Sequence, residues 1–116
     1  MSENKTKLFK LDEPEDARQS SQGCPLTFLL KKEKITCGTF TIPPGKRLGR
    51  ISAHSGDEIY WILKGTLWVD LPRIDETVEV KTNEGFYMPG GTIHAPHNVP
   101  GKKETLVLWF CTPDWY

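Results

Sequence analysis

The chain carries no net charge: 15 basic residues stand against 15 acidic ones in 116. Such a chain has no general field to draw it to nucleic acid or to an anionic membrane, and neither is expected as a partner. It has no apolar run approaching the roughly 20 residues that span a bilayer. The polar opening Met-Ser-Glu-Asn-Lys-Thr-Lys has no hydrophobic stretch behind it, so it does not read as a secretory signal. Cysteine is scarce and odd in number. Cys24, Cys37 and Cys111 show no paired spacing and do not make a disulfide framework. They are expected as buried or half-buried thiols in a reducing cytoplasm, and none has a histidine beside it in sequence. There is no internal repeat. Gly45-Lys46 is a phosphate loop only in outline, since no Ser or Thr follows the lysine and no helix follows the loop.

Helical periodicity is also missing. Past residue 25 no segment sustains a 3.6-residue period. Short runs of β-forming residues recur instead, set apart by Gly and Pro turns. The runs lie at 26–30, 35–42, 58–63, 66–71, 77–80, 86–88, 92–97 and 104–111, with Arg50 to His54 short and extended. Leu8 to Leu11 reads as a possible short strand and Asp12 to Gly23 as a polar loop or arm. The expectation is one domain with one core: an N-terminal arm over 1–25, then an all-β sandwich or barrel over 26–116.

Histidine is rare too, and its placing is informative. His54, His94 and His97 all fall in two stretches, Ser52 to Gly65 and Gly85 to Asn98. Side chains alternate between the two faces of a strand. Arg50, Ser52 and His54 therefore share a face. Glu58, Tyr60 and Ile62 share another, with Ile59, Trp61 and Leu63 opposite them. A tight turn at Ser55-Gly56 lets His54 and Glu58 converge. Thr92, His94 and Asn98 have one parity and His97 the other, so His94 is the natural third member and His97 is expected at the rim or outside. Two imidazoles and one carboxylate suit Fe(II), Mn(II), Ni(II), Zn(II) or Cu(II), with positions left for water or substrate.

The two stretches resemble the paired motifs of the cupin superfamily, small double-stranded β-helix barrels. The first motif of that family is a His, one residue, a His, three or four residues, a Glu, six residues and a Gly. Here it reads Ser52-Ala-His54, then Glu58, then Gly65. The second is met by Gly85, Pro89, Gly91, His94 and Asn98, and Pro43-Pro-Gly45 before the first motif is also common in the family. The resemblance covers roughly residues 26–113. It implies a cupin barrel, a homodimer, and a divalent metal held by His54, Glu58 and His94. Ser52 is the departure: it stands where firm metal binders have another histidine.

Around that site Tyr60 is the candidate for proton traffic. Ser52 and Arg50 are candidate substrate contacts, Arg50 through bidentate bonds to an anion or else as a solvated rim residue. Trp68, Phe86 and Trp109 are candidates for an apolar pocket wall or for plain core packing. Trp61, facing outward, calls for cover from a second sheet or a partner chain. Two functions fit: a metal-dependent enzyme (dioxygenase, isomerase, lyase or decarboxylase) acting on a small polar organic molecule, or a non-catalytic binder of a sugar or carboxylate.

Overall fold

The computed structural model describes residues 6–49 and 51–113. Arg50 lies outside the described residues. Within them the chain forms strands only: β1 (Asp16–Gln19), β2 (Pro25–Lys31), β3 (Thr36–Ile42), β4 (Glu58–Lys64), β5 (Thr66–Leu71), β6 (Glu76–Lys81), β7 (Gly85–Met88), β8 (Ala95–His97) and β9 (Thr105–Cys111). One sheet has the order β1-β2-β3-β9-β4-β7 and the other β6-β5-β8. Every strand pairing is antiparallel. No helix among the described residues is long and apolar enough to cross a membrane.

Alternation builds the core. In β9, Thr105, Val107, Trp109 and Cys111 are buried while Leu106, Leu108 and Phe110 are half-exposed. In β5, Leu67 and Val69 turn inward and Thr66, Trp68 and Asp70 turn outward. Phe28, Phe40, Tyr60, Ile62 and Trp109 from the large sheet thus meet Leu67 and Val69 from the small one. Phe28 packs edge-on to Trp109 with ring centroids 5.3 Å apart, and Phe40 does the same to Tyr60.

The segment between β3 and β4 completes the small sheet. It runs beside β8, with Arg47 bridged to His97 and Ser52 to His94. Asn98 staples its start. The Asn98 side-chain amide donates to the carbonyls of Ile42 at 2.9 Å and Lys103 at 2.8 Å. Its backbone N–H donates to Lys46 and its carbonyl accepts from Gly45. The geometry demands glycine at positions 38 and 65, among others. Gly38 lets β2 and Trp109 close in, since a Cβ there would lie 1.9 Å from the Thr27 carbonyl oxygen and 2.7 Å from the indole. Gly65 turns β4 into β5 at φ 74°, a left-handed conformation that favours glycine.

Two expectations for the N-terminal stretch need correction. Leu8 to Leu11 forms no strand and Leu8 is exposed. The stretch read as a loop contains β1, which forms the edge of the large sheet by pairing with β2. Asp-Ala-Arg-Gln has little intrinsic strand preference, and the pairing supplies what propensity does not. On the outer face of the large sheet Ile59, Trp61 and Tyr87 remain exposed. The second sheet packs on the opposite face, so it does not cover Trp61.

Candidate metal centre

The site is built from three places in the fold. β4 presents Glu58 and, two residues on, Tyr60 to the interior. The turn before β4 carries His54, whose carbonyl accepts from Gly91 N–H at 2.8 Å. The approach to β8 carries His94, held opposite Ser52 by a reciprocal pair of backbone hydrogen bonds at 3.0 Å. The two distant stretches of sequence are thereby locked face to face.

His54 Nε2 lies 3.0 Å from Glu58 Oε1 and His94 Nε2 lies 3.2 Å from the same oxygen. The two imidazole rings stand nearly perpendicular, 5.5 Å apart. The other nitrogen of each ring is already engaged: His54 Nδ1 with the Gly56 carbonyl at 3.1 Å, and His94 Nδ1 with the Thr92 carbonyl at 2.9 Å. A carbonyl only accepts, so each Nδ1 bears a proton. In the neutral rings both Nε2 lone pairs then point at a carboxylate oxygen, an arrangement that repels unless a positive charge lies among the three. Protons on the rings or a metal ion can supply it. Each nitrogen-to-oxygen spacing suits an ion as well, although His94 stands outside the tightest group of donors, which joins His54, Glu58 and Cys111. Donors at roughly 2.1 Å from a metal and at right angles to each other sit about 3.0 Å apart. Backbone carbonyls that fix the outer nitrogen of a ligating histidine are the usual support of such a site.

Glu58 is buried, which by itself would raise its pKa. Hydrogen bonds from His54 and His94, the charge of His94, and the Cys111 thiol outweigh this and bring it down from 4.5 to about 2. Its hydrogen bond to Glu58 raises the pKa of His54, against the effect of burial. Burial pushes the Tyr60 phenol well above its ordinary value, and the Glu58 and Cys111 charges add to the rise. Tyr60 therefore stays protonated and donates. Burial, then Glu58, likewise push the Cys111 thiol up.

A cavity of about 240 Å³ opens over this cluster. Ser52, His54, Glu58, Tyr60, His94 and Trp109 line it, as do Cys111 and the apolar side chains of Leu26, Phe28, Phe40 and Leu48. Seven of the residues singled out from sequence are thus placed as follows. Ser52, His54, Glu58, Tyr60, His94 and Trp109 come together; Phe86 packs half-buried against the core and does not line the cavity. Trp68 is not in the cavity. It lies on the outward face of β5 beside a separate depression with Asn98 and Gly101.

His97 points away from the cavity, but it is buried, not at the rim or exterior as expected. Its Nε2–H donates to Asp70 Oδ1 at 3.0 Å and its Nδ1 accepts from Val99 N–H at 3.1 Å. Arg47 and Thr77 also bond Asp70, so His97 is fixed in a network across the outside of the small sheet. Cys111 is the residue that sequence reasoning missed. Its Sγ lies 3.2 Å from Glu58 Oε2, and donor atoms of His54, Glu58 and Cys111 all fall within 4.8 Å of one another, a group able to hold a metal ion. The signal was available: Cys111 shares the parity of Trp109 on the same strand.

This fold and pairing of motifs define a cupin barrel, and the chain belongs to the cupin family: residues 38–111 match the cupin domain profile. The chain is 28% identical over 108 residues to the uncharacterized protein SCO3923 of Streptomyces coelicolor, a match that covers 93% of this chain and 98% of the relative. Among solved structures it is similar to KdgF from Halomonas sp., with a TM-score of 0.76 and 19% identity over 93% of this chain and 94% of the other. It is also similar to the polyketide cyclase RemF from Streptomyces resistomycificus, with a TM-score of 0.75 and 17% identity over 96% and 86% of the two chains. The fold is the double-stranded β-helix of that family.

Proposed function

We propose that this protein is a metal-dependent enzyme acting on a small organic molecule, with a divalent transition metal (Fe, Mn, Ni, Zn or Cu) held by His54, Glu58 and His94. One observation carries the reading: two Nε2 atoms whose outer nitrogens are tied to carbonyls converge on one buried carboxylate oxygen at the floor of a cavity. A bound metal would supply Lewis-acid polarisation of a substrate oxygen or, if redox-active, oxidation chemistry. The chain's own groups do the rest. Leu26, Phe28, Phe40, Leu48 and Trp109 receive an apolar body and exclude water, while the polar end of the substrate meets the cluster. This refines the expectation of a small polar organic molecule. Tyr60, kept protonated, serves as hydrogen-bond donor or acid at the reacting end. Glu58 is engaged as a ligand and is not the base. Ser52 lines the mouth and contacts what enters. Similarity to a polyketide cyclase supports the reading to the extent that the fold houses an enzyme there.

A second reading, a non-catalytic binder of a small molecule, is favoured by one feature. Both Glu58 oxygens are engaged and Tyr60 holds its proton, so among the described residues no free acid–base pair faces the cavity. Metal binding alone does not separate the readings; turnover of a molecule that protects the loaded protein does, whereas its recovery unchanged supports the binder.

A metal that binds only the folded chain raises its melting temperature. At one hundred times its Kd the gain is about 2.7 kcal/mol, on the order of 10 °C for a domain of this size. Titration with Fe(II), Mn(II), Ni(II) or Zn(II) should give this rise in the wild type and none in His54→Ala or His94→Ala. Equal rises in all three proteins would sink the assignment.

We also propose a homodimer in the cytoplasm. Three buried free cysteines suit a reducing compartment, and exposed Ile59, Trp61 and Tyr87 on one face suit a second copy. Sedimentation should find a dimer that Trp61→Glu converts to monomer; a monomeric wild type would remove the proposal.

A further inference from the structure

The thiol of Cys111 has no part in the function proposed above, yet it stands inside the cluster. Cys111 is paired directly with Glu58 in the β4–β9 register, on the inward face of both strands. Its Sγ reaches Glu58 Oε2 at 3.2 Å, and it lines the cavity with His54 and His94. The other two cysteines are placed differently. Cys24 bonds the Arg47 carbonyl, and Cys37 pairs with Phe110 on the face away from the cavity.

We propose that Cys111 is a metal ligand, bound as a thiolate, and that it supplies the fourth protein donor where the first motif has Ser52 in place of a histidine. The inference rests on the metal reading of this site and deepens it. The step balances simply: the S–H bond breaks, its proton leaves to solvent, and a sulfur–metal bond forms with no change of oxidation state. The consequence is selectivity. Three hard or borderline donors accept Mn(II) readily, whereas a thiolate among them shifts preference toward Zn(II), Co(II), Fe(II) or copper. The donor set then joins nitrogen, oxygen and sulfur in one site.

Cobalt(II) is the probe, because thiolate ligation gives it a sulfur-to-cobalt charge-transfer band in the near ultraviolet that nitrogen and oxygen donors alone do not give. Metal-free protein is loaded with one equivalent of Co(II) and its spectrum recorded. The wild type should show the charge-transfer band together with visible cobalt absorption. Cys111→Ser should keep visible absorption, lose the charge-transfer band, and bind Co(II) roughly tenfold or more weakly. Cys37→Ser should match the wild type. Mn(II) should compete poorly with Co(II) in the wild type and better in Cys111→Ser. Visible cobalt absorption without the charge-transfer band in the wild type, or a band that persists in Cys111→Ser, would overturn the thiolate ligand and leave the His54, Glu58 and His94 site standing. Failure of the wild type to bind any of the metals would overturn both.

Discussion

Glu58→Gln should destabilise the metal-free protein by about 3 kcal/mol near pH 6, read from urea denaturation in a chelator. The magnitude follows from the carboxylate's environment. Its pKa of about 2 in the folded chain, against 4.5 in the open chain, corresponds to about 3 kcal/mol of preferred interaction with the ionised form. The glutamine keeps the shape and removes the charge, leaving two imidazoles facing a neutral amide. Losing one partner of a buried ion pair costs about 3–5 kcal/mol elsewhere, in line with this figure. A loss below about 1 kcal/mol would mean that the cluster is not electrostatically coupled as its geometry requires.

Acid unfolding of the metal-free wild type should show the same group titrating. Glu58 has a depressed folded value, so its contribution is complete above 4.5 and is lost as pH falls toward 2. His54 has a raised value, so its contribution is complete below 6.5 and is lost as pH rises through its folded value. The metal-free protein is therefore most stable between these limits. From 4.5 down to 2 the wild type should lose about 3 kcal/mol more than Glu58→Gln does. Parallel curves for the two proteins in that range would contradict the assignment. Saturating metal should move the optimum upward, because the ion binds rings that have given up their Nε2 protons.

Strand parity made much of the site legible. The alternation in Glu58-Ile-Tyr-Trp-Ile62 placed Glu58 and Tyr60 inside and Trp61 outside, and the buried and exposed positions of β4 follow it. His94 was separable from His97 by the same argument. Parity says which way a side chain points but not what lies over it. His97 does turn from the cavity, yet Asp70, Arg47 and Thr77 close a network around it, and those residues are distant in sequence. Trp68, a candidate for the pocket wall or for core packing, stands between buried Leu67 and Val69 and so lies on the other face of β5. Cys111 has no histidine or carboxylate beside it in sequence to mark it as a donor, because its partner is across a sheet. The pairing of β4 with β9 brings Glu58 and Cys111 together from 53 residues apart. The irregular register between Phe28 and Leu30 in β2 also has no clear signature in that apolar run.

The most direct test of the central claim is the metal content of carefully purified protein, measured by elemental analysis beside His54→Ala, Glu58→Gln and His94→Ala. The predicted result is close to one divalent transition metal per chain in the wild type, or its recovery on dialysis against Fe, Mn, Ni, Zn or Cu, with loss in all three variants while each stays folded. A wild type that carries none and regains none, or variants that keep the metal, would contradict the account.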